Sequence, residues 1–143
     1  MNPSKPKPAG AAKAAPVSPL APASFPDLPA IVGVRAAIGR AGLYKHVRPD
    51  LALFAFAPET RAAGVFTTNA VGSAPTDWCK QVLKGTGAAG GLLVNAGCAN
   101  SLTGAAGDAS AKKTAQAAAS LIGAKPETMT LASTGVIGVV LDH

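Results

Sequence analysis

The chain has 143 residues, is 48% hydrophobic but only 4% aromatic, and carries a formal charge of +6. That length holds one domain or part of one. A core so poor in large side chains must bring its backbones close together or take surface from another chain. No Lys/Arg cluster interleaves with aromatics, which argues against a nucleic-acid surface, and no apolar run reaches membrane-spanning length. Cys79, Cys98, His46 and His143, with no CxxC spacing, neither make a disulfide framework nor readily supply a zinc site. Unpaired thiols and the lack of a secretory segment make a reducing cytoplasm the default.

Residues 1–24 read as a disordered Pro/Ala/Lys-rich tail. Lys5, Lys7 and Lys13 stand there without an acidic residue, and proline removes backbone donors. The ordered domain is expected over 25–143. Residues 30–36 read as a strand and 39–42 as a turn. The apolar run Leu51 to Phe56, bounded by Pro49-Asp50 and Pro58, reads as a buried strand. Residues 62–67 are its expected antiparallel partner across a hairpin loop at 57–60.

Thr76 is the expected N-cap of a short helix through Lys84, with Asp77 at the positive end of its dipole. Trp78 and Val82 fall on one face. A strand is expected at 91–94. Asp108 is the candidate cap of the longest helix, 109–122. There Ala111, Ala115, Ala118 and Ile122 recur as one apolar stripe while Lys112, Lys113 and Gln116 fall away from it. Gly123 suits the left-handed position after that helix, and Pro126 blocks continuation. Residues 129–132 form the last expected strand. Interspersed strands and helices give an α/β or α+β class.

Two segments concentrate the chemistry. Leu93-Val94-Asn95-Ala96-Gly97-Cys98-Ala99-Asn100-Ser101-Leu102-Thr103-Gly104 and Leu131-Ala132-Ser133-Thr134-Gly135-Val136-Ile137-Gly138 each run from apolar residues into glycine and small polar groups. Strands end this way where backbone must approach a ligand. The second segment has three readings. It lacks the spacing and following helix of a dinucleotide fingerprint. It is either a structural turn or an oxyanion hole made by the Thr134 hydroxyl and the Gly135 N–H. In the first segment the asparagines either tie down a loop or contact substrate. Cys98 has no histidine close in sequence to support a nucleophilic role. Cys79 reads as core, and Asp77 and Asp108 as helix-start charges.

In order and spacing these segments fit one pattern, together with Phe25-Pro26-Asp27-Leu28-Pro29, Arg48-Pro49-Asp50-Leu51, Ala63-Gly64-Val65-Phe66-Thr67-Thr68-Asn69 and Ser73-Ala74-Pro75-Thr76-Asp77-Trp78-Cys79. It resembles the amino-terminal part of the bifunctional ornithine acetyltransferase / glutamate N-acetyltransferase family, over about residues 18–142. The resemblance implies an α/β, sandwich-like fold that is incomplete without the C-terminal part. It implies a precursor that cuts itself before a threonine into α and β chains, the new terminal threonine moving acetyl from N-acetylornithine to glutamate. It further implies Thr134 and Gly135 as the oxyanion hole, an α/β heterotetramer, and no cofactor, metal, nucleic acid or membrane. Ala96 and Cys98 depart from the family loop, where serine and asparagine are common. The alternative is a non-catalytic remnant or a binding and assembly module.

Overall fold

The computed structural model describes residues 17–44, 46–85 and 87–141. Most of the expected tail, residues 1–16, and His143 lie outside the described residues. Residues 17–32 form neither helix nor strand and are exposed throughout.

Four strands and two helices follow in the order β1 (Val34–Gly39), β2 (Leu51–Phe56), α1 (Ala74–Lys84), β3 (Gly91–Cys98), α2 (Gly104–Ile122) and β4 (Met129–Val136), with a single 3-10 turn at Pro126–Thr128 before β4. The strands make one sheet in the order β1-β2-β3-β4. β1 to β3 are antiparallel; β3 and β4 are parallel, connected through α2. The α/β class expected from the sequence holds.

The hairpin between β2 and residues 62–67 does not form. β2 pairs instead with β1 on one side and β3 on the other, so both of its edges are taken. A short run interrupted by Gly64 cannot displace either neighbour. It crosses the surface with Val65 fully exposed, held by the bridge between Arg61 and Ala88 and by Phe66 against the core. β1 also begins later than expected, because Gly33 takes a left-handed φ of 81° just before it.

Both helices start earlier than their expected caps. Ser73 caps α1: its Oγ accepts from Thr76 N and pairs with the Thr76 hydroxyl at 2.9 Å. Pro75 then occupies the first turn, where a missing N–H costs nothing. Thr103 replaces Asp108 at the start of α2, so Asp108 lies within the helix and not at its charged end. Asp77 does lie in the first turn of α1 and pairs with Lys80 at 3.0 Å.

The core sits between α1, α2 and one face of β3–β4. Ala111, Ala115, Ala118 and Ala119 of α2 pack on Met129 and Leu131, with Ile122 at the margin. Alanine on the helix allows this close approach. Gly123 closes α2 at φ 70°, and its N–H donates to Ala119 O. α1 lies against the outer edge of β4. There Trp78 Nε1 donates to Met129 O at 2.8 Å, and the buried Cys79 thiol donates to Leu131 O at 3.1 Å. Burial pushes the Cys79 thiol up from its ordinary pKa, so it is an inert core group.

Side chains alternate along a strand, so the pairing register sorts the sheet into two faces. Leu53, Leu93, Met129 and Leu131 point to the helices. Ala36 and Ile38 of β1, Phe54 and Phe56 of β2, and Leu92 and Val94 of β3 share the opposite face. Among the described residues neither helix covers that face, and Ile38 is 75% exposed.

The β1–β2 connection is organised by Asp50, which is 4% exposed. Oδ1 accepts from Ala41 N at 2.6 Å and Oδ2 from Leu43 N at 2.7 Å. The seal is local: the loop backbone wraps the carboxylate, which lies outside the packed core. Desolvation raises the pKa, but the N–H groups of Ala41, Leu43, Gly42 and Tyr44 outweigh it and hold the carboxyl below its ordinary value. A depressed folded pKa contributes stability that is present above the unfolded pKa, about 3.9, and lost as pH falls through the folded value. We expect Asp50→Asn to lower the melting temperature at pH 7 and to flatten the loss of stability on acidification. Parallel wild-type and variant melting curves across pH 7 to 3 would contradict this.

Candidate functional site

β3 and β4 run side by side in one direction, so the two Gly-rich segments meet. The register sets Asn95 beside Ser133, Ala96 beside Thr134, Gly97 beside Gly135 and Cys98 beside Val136. The strands do not end at 94 and 132 as expected; they continue to Cys98 and Val136. Each segment supplies the other's backbone partners, which neither shows when read alone.

The asparagines serve the fold. Asn95, 3% exposed, accepts from Ser133 Oγ at 2.5 Å and donates Nδ2 to Cys98 O at 2.8 Å. Asn100, 1% exposed, donates Nδ2 to Gly107 O at 3.0 Å and accepts from Thr103 Oγ1 at 2.9 Å. These bonds tie β3 to β4 and the following loop to α2. Cys98 is buried, and its thiol donates to Val139 O at 3.2 Å, fixing the chain beyond β4. Ala96 lies beside Thr134 in the register.

Thr134 and Gly135 are exposed. Thr134 shares the open sheet face with Thr130 and Ala132. Among the described residues its hydroxyl has no hydrogen-bond partner. The backbone direction of β4 follows from its bonds. Met129 O meets Trp78, and Leu131 N meets the Cys79 sulfur at 3.2 Å, so odd-numbered groups face away from β3. Val136 O accepts from Ala99 N at 3.0 Å, so even-numbered groups face β3. The Gly135 N–H therefore lies on the outer edge of β4, where no further strand pairs among the described residues. A face hydroxyl and an edge N–H on consecutive residues can converge on one oxygen atom, the geometry a developing oxyanion requires.

Glycine is obligatory at this point. Gly135 has φ 131°, and a Cβ there would overlap the Gly97 carbonyl carbon. Gly97 has φ 122°, and its Cβ would lie 2.7 Å from Leu43 O. A cavity of about 590 Å³ lies at the opposite end of β4 against Trp78, Arg61 and Lys125 and includes neither Thr134 nor Gly135. Sequence reasoning missed Leu43 and Asp50 at this site; the only signal was a carboxylate next to Pro49 with Gly42 eight residues before it. Gly135→Ala should destabilise the chain by about 2–6 kcal/mol, combining left-handed strain with overpacking. A denaturant midpoint within error of wild type would contradict that contact.

Comparisons with known proteins show the family. The ArgJ family model matches residues 35–143. The chain is similar to the arginine biosynthesis bifunctional protein ArgJ of Caulobacter vibrioides, 53% identical over 120 residues, covering 82% of this chain and 30% of that protein. Against the protein of that name from Agrobacterium fabrum it is 48% identical over 126 residues, covering 88% of this chain and 30% of the relative. The chain thus spans about 30% of the length of the curated relatives it matches. Its fold is similar to the crystal structure of an ornithine acetyltransferase complexed with ornithine from Mycobacterium tuberculosis. The TM-score is 0.73 at 40% identity, over 77% of this chain and 60% of that one. It is also similar to the crystal structure of an arginine biosynthesis bifunctional protein from Bacillus halodurans, with TM-score 0.72 and 28% identity, over 77% and 57% of the two chains. With the family model matched across both Gly-rich segments and the sheet that pairs them, this chain belongs to the ArgJ family.

Proposed function

We propose that this chain is the amino-terminal part of a glutamate N-acetyltransferase / ornithine acetyltransferase and supplies its oxyanion hole. Thr134 Oγ1 and Gly135 N–H stabilise the tetrahedral oxyanion formed when a threonine outside residues 1–143 attacks the acetyl carbonyl of N-acetylornithine. The same pair acts again when glutamate takes the acetyl group. The nucleophile is the terminal threonine of a β chain cut from the same precursor, with its own amine as the base. No cofactor enters these steps. The observation that carries the reading is the parallel pairing of Ala96-Gly97 with Thr134-Gly135, which leaves one hydroxyl and one N–H free at an exposed strand end.

The open sheet face supports the same reading. A soluble sheet facing water normally alternates apolar with polar side chains, whereas here Ile38, Phe54, Leu92 and Val94 share the face that no helix covers. Such a surface fits the remainder of the family chain packing over it, with the β chain as partner and an α/β heterotetramer as the assembly.

The test uses a complete enzyme carrying this chain as its amino-terminal part. Thr134→Val should lower turnover, the lost donor costing on the order of 10²–10³, while the nucleophilic threonine is still acetylated. Unchanged turnover would remove the assignment. The 143-residue chain alone should show no exchange between N-acetylornithine and glutamate. Detectable exchange by mass spectrometry would place the nucleophile inside it and sink the reading.

A further inference from the structure

We propose that Asp50 is a positioning residue for the Gly135 donor, acting through the loop at 41–44 and through Gly97; the proposal rests on the oxyanion reading of Thr134 and Gly135. Asp50 grips this region twice. Its main chain donates to Gly39 O at 3.1 Å and accepts from Ala96 N at 2.9 Å, which anchors β3 one residue before Gly97. Its side chain accepts from Ala41 N and Leu43 N, one bond to each carboxylate oxygen, with Gly42 between them at φ 81°.

Those two bonds decide where Leu43 sits. Leu43 lies directly on Gly97: a Cβ on Gly97 would come within 2.7 Å of Leu43 O and 2.8 Å of Leu43 Cβ. Gly97 in turn lies directly on Gly135, whose own Cβ would fall 2.5 Å from Cys98 N. The path from carboxylate to Leu43 to Gly97 to Gly135 is backbone against backbone with no slack, and close-packed atoms transmit displacement. Any residue at position 50 could make the main-chain bonds. Only the carboxylate side chain holds the two loop amides at once, so the side chain is what aligns Leu43, and through it the Gly135 N–H.

The test reads backbone ¹⁵N–¹H resonances of the complete enzyme that carries this chain as its amino-terminal part. Asn at position 50 keeps one acceptor oxygen and turns a donor toward the second amide. In Asp50→Asn we expect the amide peaks of Ala41 and Leu43 to move, and those of Gly97 and Gly135 to move with them. Gly123, at the far end of α2, should stay in place. Gly42→Ala strains the loop without touching the carboxylate or the strands, since nothing lies within 4 Å of the added Cβ. It should also move Gly135. The proposal is overturned if Gly135 stays fixed in a folded variant whose Ala41 and Leu43 peaks have moved. Should Asp50→Asn fail to fold, Gly42→Ala decides by the same criterion. A coupled Gly135 shift alongside unchanged turnover in the Thr134 test would discard the oxyanion reading alone. The reverse pair of results would discard the coupling alone.

Discussion

Three stretches of backbone converge where no side chain fits: Leu43 on Gly97, and Gly97 on Gly135. Glycine in a strand ordinarily weakens it, because it adds conformational entropy to the unfolded chain and nothing to pack. At 97 and 135 that cost is offset by the approach it permits. A side chain at 135 would push β3 and β4 apart at their ends, and one at 97 would push away the loop at Leu43. Asn95 would lose Ser133, and the loop held by Asp50 would lose its seat. The proposed donors of Thr134 and Gly135 thus stand on a paired strand, the kind of rigid element that holds a polar group in place.

The same economy in side-chain size runs through the helix side of the sheet. α2 presents alanines to Met129 and Leu131, and α1 offers Cys79, whose sulfur both donates to and accepts from the Leu131 main chain. A sheet edge usually leaves N–H and C=O groups unpaired. At the first half of β4 a thiol and the Trp78 indole take those groups instead. Cover stops there. Among the described residues no strand pairs with the outer edge of β4 at its Gly135 end.

Elements with a strong local signature were legible. The apolar stripe of α2, its Gly123 stop and the β2 run all follow from spacing and punctuation in the sequence. The misplaced features depend on distant partners. Residues 62–67 look like a strand until β1 and β3 claim both edges of β2. Residues 95–98 and 133–136 look like loops until they lie beside each other. Asp108 resembles a cap only because Thr103 and Gly104 read as part of the preceding loop. For the site, Thr134 and Gly135 were named from their motif. Leu43 and Asp50 were not, because a contact between a loop carbonyl and a glycine more than fifty residues away leaves no local pattern.

The open sheet face carries one further argument about Thr134. Its positions are apolar on β1, β2 and β3, and the only hydroxyls on it are Thr130 and Thr134 of β4. Thr130 Oγ1 is satisfied, donating to Gly91 O at 3.0 Å. Thr134 alone is left without a partner among the described residues. Once such a face is covered, an unpartnered buried hydroxyl costs about 1–3 kcal/mol. Valine has nearly the same shape and would carry no such cost. A threonine there is disfavoured on packing grounds and favoured only if something polar meets it. In the proposed function, a carbonyl oxygen arriving between the Thr134 hydroxyl and the Gly135 N–H would satisfy both.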